Sequence, residues 1–201
     1  MNHVYDVILR RRTVRKFLEK SVPEKILLQL VDAARMAPSS GNVQPCVFIV
    51  VTDPKKRSDL FRVIKWQDVH DSIHPPVAHE GPAAYIVVCV DLILRKKGGA
   101  SDAGAAAENI LLAACEQGLG ACWIAALNRK KLKKSLRVPH HVHVDSVIGI
   151  GYPAEAPSEV EEAQSGIRIW RDANGVLHVP KRRLADICYM NGYIPYPSQA
   201  P

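Results

Sequence analysis

The chain of 201 residues is 47% hydrophobic and 23% charged, which suits one globular domain with a sizeable core. Its formal net charge of +7 points to an anionic partner, either a nucleic acid or a phosphate-bearing small molecule. Apolar runs are short and interrupted, which argues against a membrane span, and Met1 to Asp6 lack the apolar stretch of a signal peptide, so a cytoplasmic protein is expected.

Val4, Val7 and Ile8 place one apolar face on a helix over residues 3–12. The run Arg10-Arg11-Arg12-Thr13-Val14-Arg15-Lys16-Phe17 follows it. Arg grips oxyanions bidentately and is not neutralised, so the run reads as half of a phosphate site or as the cationic end of a helix. Ser21-Val22-Pro23-Glu24 is a capping-box pattern with Pro just inside the helix start. The helix it opens carries the stripe Leu27, Leu30, Val31 and Ala34 and ends before Pro38. Pro38 to Pro45 is a loop of Pro, Ser, Gly and Asn. Asn42 and Gln44 offer amides suited to the edge of a heteroaromatic ring; the alternative is a plain turn into a strand.

Cys46 to Val51 reads as a buried strand, followed by a basic helix near residues 54–64. Trp66 to His79 has little periodicity and reads as a loop or short helices of the kind used for lids. His70 and His74 are spaced i, i+4 with Asp68 nearby, but no further ligands stand at motif spacing. No metal is therefore expected; surface or substrate-facing histidines are the preferred reading. The five cysteines, Cys46, Cys89, Cys115, Cys122 and Cys188, form no C-x-x-C pair and suggest neither zinc nor a disulfide framework.

Ala84 to Val90 reads as a second buried strand. The longest helix is predicted over 101–117, with a small-residue stripe of Ala103, Ala106, Ala107, Ile110, Leu111 and Ala114. Such a stripe permits close packing, so this helix is expected to be central and to lie at a subunit interface. Gly118 and Gly120 end it, and Leu119 to Leu127 reads as strand. Asn128 caps a short helix with Leu132 and Leu136 inside and lysines on a solvated face. No aromatic platform accompanies those lysines, so nucleic acid is not the expected partner. Val142 to Ile150 is a further strand, ending in glycines that make neither a dinucleotide fingerprint nor a P-loop. Residues 154–165 read as an acidic linker, then a hairpin turns at Asn174-Gly175, then Lys181-Arg182-Arg183 follows.

Taken in order, these motifs resemble the FMN-dependent nitroreductase family. Arg11-Arg12-Thr13-Val14-Arg15-Lys16-Phe17 is similar to its R-R-S-x-R-x-F opening, and Ala37 to Pro45 to its A-P-S-x-x-N-x-Q-P-W loop. Asp102-Ala103-Gly104, Gly118 to Trp123 and Ile148 to Pro153 resemble its central helix, the strand behind the flavin and the I-G-x-G-x-P strand end. The last basic run resembles its K-x-R element. The chain departs from the pattern at Cys46, where the family has Trp, at Thr13, where it has Ser, and over Trp66 to Glu80, which matches no subfamily signature.

The resemblance implies an α+β fold with a mostly antiparallel sheet, in an intertwined homodimer with FMN at the interface. One domain is expected over 1–201, with residues from about 166 reaching the partner subunit. Arg11, Lys181 and Arg183 match the phosphate ligands, with Thr13 on ribityl or phosphate oxygens and Arg12 packed along the cofactor. Arg15 matches the cation at the N1 and C2 carbonyl edge, and Ser39, Ser40 and Asn42 the flavin loop, which Gln44 supports. Ala125 and Ala126 match the strand end beside N5. No side-chain acid, base or nucleophile is implied. The implied reaction is ping-pong hydride transfer from NADH or NADPH to a nitroaromatic or quinone, with His70, His74 and His79 as candidate substrate-facing groups. The alternatives are reductive dehalogenation or oxidative flavin chemistry on the same fold, or a non-enzymatic flavin or nucleic-acid binder.

Overall fold

The computed structural model describes residues 3–66, 76–163 and 166–193. Its central sheet has four antiparallel strands: β1 (Cys46–Val51), β2 (Ala84–Asp91), β3 (Gly120–Ile124) and β4 (Val142–Gly151). They stand in the order β1-β2-β4-β3. Side chains alternate across a strand. Ile86 and Val88 of β2 join one apolar cluster, while Tyr85, Val87 and Cys89 join another on the opposite face. Helices cover both faces, which is why β2 reads as an unbroken apolar run.

The first face carries α2 (Glu24–Arg35) and α4 (Gly99–Glu116), through Leu27, Leu30, Ala103, Ala107 and Ile110. The second carries α3 (Pro54–Val63) and α5 (Arg129–Leu136), each planting one fully buried leucine, Leu60 and Leu132. The alanine stripe of α4 is buried within the chain, so the helix is central as expected. Asp53 and Asn128 cap α3 and α5 by accepting from the amides of Lys56 and Lys131.

Several expectations are corrected. The helix at Glu24 has Pro23 as its cap residue and makes no side-chain cap bond, so the capping box does not form. β1 lies at the sheet edge and is largely half-exposed rather than buried. In α1 (His3–Arg10) only Val7 is buried, and Val4 and Ile8 face outward. β3 stops at Ile124, three residues before Leu127.

The described residues gather in two compact units, 3–66 with 76–155, and 156–163 with 166–193. The second is a small sheet of β5 (Glu159–Glu162), β6 (Trp170–Arg171) and β7 (Leu177–Lys181). The expected acidic linker thus contains a strand, β5, paired in parallel with β7. The expected hairpin does form, with Gly175 at φ 82° in its turn. His178 stacks on Trp170 at 4.0 Å between ring centroids and faces Asp172 and Glu161.

The segment after α1 is strapped along the open edge of β3. The Val14 amide donates to the Ala121 carbonyl at 3.0 Å, and Thr13 bridges Ala121 in parallel. Two glycines admit the strap. A Cβ on Gly120 would meet Val14 Cβ at 2.7 Å, and one on Gly151 would meet Phe17 Cδ1 at 2.9 Å.

Gly120→Ala is expected to lift the strap and cost about 1–3 kcal/mol by overpacking, read as a lowered urea midpoint. In Gly104→Ala the new Cβ meets only the Trp123 ring tip at 3.8 Å. That helical substitution should be neutral or gain about 0.5–1 kcal/mol. Equal effects at the two positions would remove the close-approach argument. Burial raises the thiols of Cys89 and Cys122 from 9.0 to about 12 and about 11. The unfolded chain releases these protons first, so stability should fall as pH rises above about 9. Melting curves from pH 8 to 11 check this, and Cys89→Ala with Cys122→Ala should flatten the slope.

Candidate functional site

The strap sets the site's cationic side. Its extended backbone turns Val14 and Phe17 into the core and leaves Thr13 exposed and Arg15 half-buried. Lower down, the amides of Arg15 and Lys16 donate to Glu155 Oε1 at 2.5 and 3.1 Å, and the Leu18 amide to the Tyr152 carbonyl at 2.9 Å. The carboxylate here fixes backbone, and the Arg15 guanidinium has no ion-pair partner among the described residues.

A cavity of about 320 Å³ is lined by Arg11, Thr13, Glu108, Leu111, Trp123 and Ala125. The fold therefore brings Arg11 and Thr13, after α1, together with Ala125, just past the end of β3. Arg11 Nε lies 3.8 Å from Glu108 Oε1, a separation that holds the guanidinium over α4 without a close bond. Arg12 turns the other way and donates to the carbonyls of Leu9 and Arg11, closing the C-terminus of α1. Burial first, then the Arg11 charge, lowers the Arg12 pKa.

Ser39 and Gln44 line a second, smaller cavity of about 130 Å³ with Cys46, Phe48 and Asp102. Between them the loop makes a 3-10 turn over Ser40–Asn42. Gly41, Asn42 and Gln44 all have left-handed backbone, at φ 65°, 52° and 51°. Asn tolerates that region, which explains it beside Gly. The Gln44 amide donates to Ser39 Oγ at 2.9 Å, and Gln44 Nε2 donates to the Asn42 carbonyl at 3.3 Å. The Gln44 side chain thus supports the loop from within, and Ser40, Gly41 and Asn42 stay exposed.

Arg95 and Asp102 anchor this loop, and sequence reasoning missed Arg95 altogether. Arg95 Nη2 donates to the Ser40 carbonyl at 2.6 Å, and Arg95 Nε lies 2.7 Å from Asp102 Oδ2. Both side chains are mostly buried, at 18% and 8% exposure. Arg95 sits in the turn after β2 and carries no motif, so only its place in space reveals it. Burial, followed by Asp102 and Asp145, pushes the Cys46 thiol up to about 11, so it stays neutral at ordinary pH.

Other expected residues stand apart. Ala126 gives its carbonyl to the Lys65 amide at 2.8 Å. Lys181 ends β7, and Arg183 forms a bidentate pair with Asp186 at 3.0 and 2.9 Å, both in the second unit. His79 lines a third cavity, which is not the one beside Arg11, while His70 and His74 fall outside the described residues. Among the described residues no group of His, Cys, Asp and Glu is arranged to hold a metal, and no helix is long and apolar enough to cross a membrane.

The cation, hydroxyl and backbone lining of the Arg11 cavity fit a phosphorylated ligand and provide no paired nucleophile and base. Removing Arg95 is expected to leave Asp102 buried and unpaired, at about 3–5 kcal/mol. Urea unfolding of Arg95→Met should show that loss, and Arg95→Met with Asp102→Asn should recover most of it.

The sequence pattern of the Nitroreductase family matches residues 8–91 and 95–152. A Methanothermobacter thermautotrophicus protein described as a candidate NADH dehydrogenase/NAD(P)H nitroreductase is 36% identical over 162 residues, covering 77% of this chain and 79% of its own. An iodotyrosine deiodinase of Thermotoga neapolitana is 25% identical over 173 residues, covering 76% and 90%. A nitroreductase from Desulfovibrio desulfuricans, solved in complex with FMN, superposes with a TM-score of 0.70 at 25% identity, over 82% of this chain and 94% of that one. Among the described residues the family pattern lies within the first compact unit, and the chain belongs to the nitroreductase family.

Proposed function

We propose that the protein is an NAD(P)H-dependent FMN oxidoreductase that reduces small electrophilic acceptors of nitroaromatic or quinone type. The observation that carries this reading is the cavity where Arg11 and Thr13 meet Ala125, more than 100 residues later in the chain. The FMN complex of the Desulfovibrio desulfuricans relative supports the cofactor, and the name of the Methanothermobacter relative supports the reductant.

In this reading Arg11 holds the phosphate and Thr13 an adjacent oxygen, since charge-assisted bonds are the strong ones. Arg15 places positive charge at the ring edge that gains electron density on reduction. Ser39, Ser40 and Asn42 present the ring-facing loop, which Gln44 and Arg95 hold in shape. Ala125 and Ala126 let backbone approach the ring closely, because they carry only a methyl group. Lys181 and Arg183 complete the phosphate grip from the C-terminal unit of a partner chain, in a homodimer. Exposed Tyr5, Ile8 and Leu9 on α1 support such a dimer, because association would remove them from water. The chemistry that FMN supplies when bound is hydride transfer at N5, from NAD(P)H and then to the acceptor in ping-pong order.

The deiodinase match supports a second reading, reductive dehalogenation on the same scaffold. Turnover of nitroaromatics against halogenated phenols, with NADH or NADPH, separates the two.

Purified protein should be yellow and release FMN on denaturation. Arg11→Ala should weaken FMN binding at least about tenfold, since a charge-assisted bond contributes about 1.5–3 kcal/mol, with the dimer retained. Equilibrium dialysis and light scattering check both, and unchanged FMN affinity would overturn the phosphate assignment.

A further inference from the structure

The cavity beside Arg11 contains a charge of the wrong sign for a phosphate. Arg11 and Glu108 are the ionisable residues of its lining, and they oppose each other. Thr13 adds a hydroxyl, while Leu111, Trp123 and Ala125 bring no charge. Any anion drawn to Arg11 therefore shares the space with a carboxylate.

Glu108 stands at the middle of α4, and its Oε1 lies 3.8 Å from Arg11 Nε. That separation is too long for a hydrogen bond. Among the described residues no other carboxylate lies within ion-pair distance of this guanidinium. The pair is partly open to water, with 26% of the Arg11 side chain and 47% of the Glu108 side chain exposed. Pairs of this kind are worth little, so a doubly charged ligand can displace the carboxylate from Arg11. Displacement does not remove Glu108 from the cavity, and its charge then stands against the phosphate.

The same helix carries a natural control. At its C-terminal end Glu116 lies 3.0 Å from His3 and 3.8 Å from Arg10. Those contacts tie α1 to α4, and Glu116 does not line the cavity. Its side chain is 42% exposed, close to the value for Glu108. Location, and not burial, separates the two carboxylates.

Resting on the assignment of Arg11 to the flavin phosphate, we propose that Glu108 sets how far the site prefers FMN over unphosphorylated riboflavin. It acts by competing with the phosphate for Arg11. Glu108 meets the Arg11 charge when the cavity is empty, and it holds FMN affinity below what the cations alone would give. Riboflavin lacks the phosphate and escapes this penalty.

Flavin-free protein titrated with FMN and with riboflavin, followed by quenching of flavin fluorescence, tests the proposal. Glu108→Gln keeps the shape and removes the charge, so it should bind FMN at least about threefold more tightly and riboflavin within about twofold of the parent. Glu108→Ala should move FMN affinity in the same direction. Glu116→Gln should leave both affinities unchanged. Unchanged FMN affinity in Glu108→Gln, with a parent that binds FMN, would overturn the proposal and leave the phosphate assignment standing. Weaker binding of both flavins would also overturn it, because Glu108 would then be bonding hydroxyls that the two share. An equal gain for both flavins, or an equal gain in Glu116→Gln, would overturn it as a general effect of lost charge. A parent that takes up no FMN would sink the flavin reading and this proposal with it.

Discussion

The close approach of residues 13–17 to Gly120 and Gly151 is the constraint on which the site depends. Any Cβ at those two positions would occupy the space of Val14 or Phe17. With hydrogen there instead, the strap pairs with the open edge of β3, and a sheet edge that would otherwise be unprotected is covered. The same contact fixes which strap residues face inward. Val14 and Phe17 go to the core, so Thr13 is left facing outward, and Arg11 reaches the cavity beside Ala125. Two hydrogens, on the first residue of β3 and the last of β4, thus decide where a cation and a hydroxyl stand.

The loop from Ser39 to Gln44 relies on a different device. Its three left-handed residues are held partly from within, by the Ser39 and Gln44 bonds, and partly from outside. Arg95 does this by donating to the Ser40 carbonyl while its charge is met by Asp102 in the first turn of α4. Asp102 also suits that position because a carboxylate is favoured at a helix N-terminus. The loop is therefore tied to the one long helix at the centre of the core. A rigid loop of exposed small residues is what close backbone approach to a flat ligand requires.

Much of this was legible in the sequence, and the reasons differ by element. The continuous apolar run at 84–90, the partly alternating one at 142–150 and the alanine stripe of α4 carry strong local signals, and each formed its predicted element. Asn128 capped its helix because side-chain capping is a local interaction. The capping box at Ser21 did not form, because Pro23 took the cap position and has no side-chain acceptor. The strand at 159–162 was hidden because its side chains are mostly exposed and each residue pairs with one 19 positions later, in β7. Glu108, Trp123 and Arg95 contact the site through tertiary geometry alone, and no spacing rule joins them to Arg11.

The cavity that His79 lines and the one beside Arg11 also bear on how the molecule works as a machine. Tyr85 pairs with Gly149, and Gly149 with Cys122, the neighbour of Trp123, so one line of backbone register joins the wall of each cavity. That line crosses the fully buried middle of the sheet, where Val87, Val147 and Ile148 have no exposure. Coupling between sites needs an element with two arrangements that both ligands bias. A close-packed sheet with helices on both faces offers a single arrangement. Any influence between the two cavities would have to travel by the strap, since Leu18 lines one and Thr13 the other.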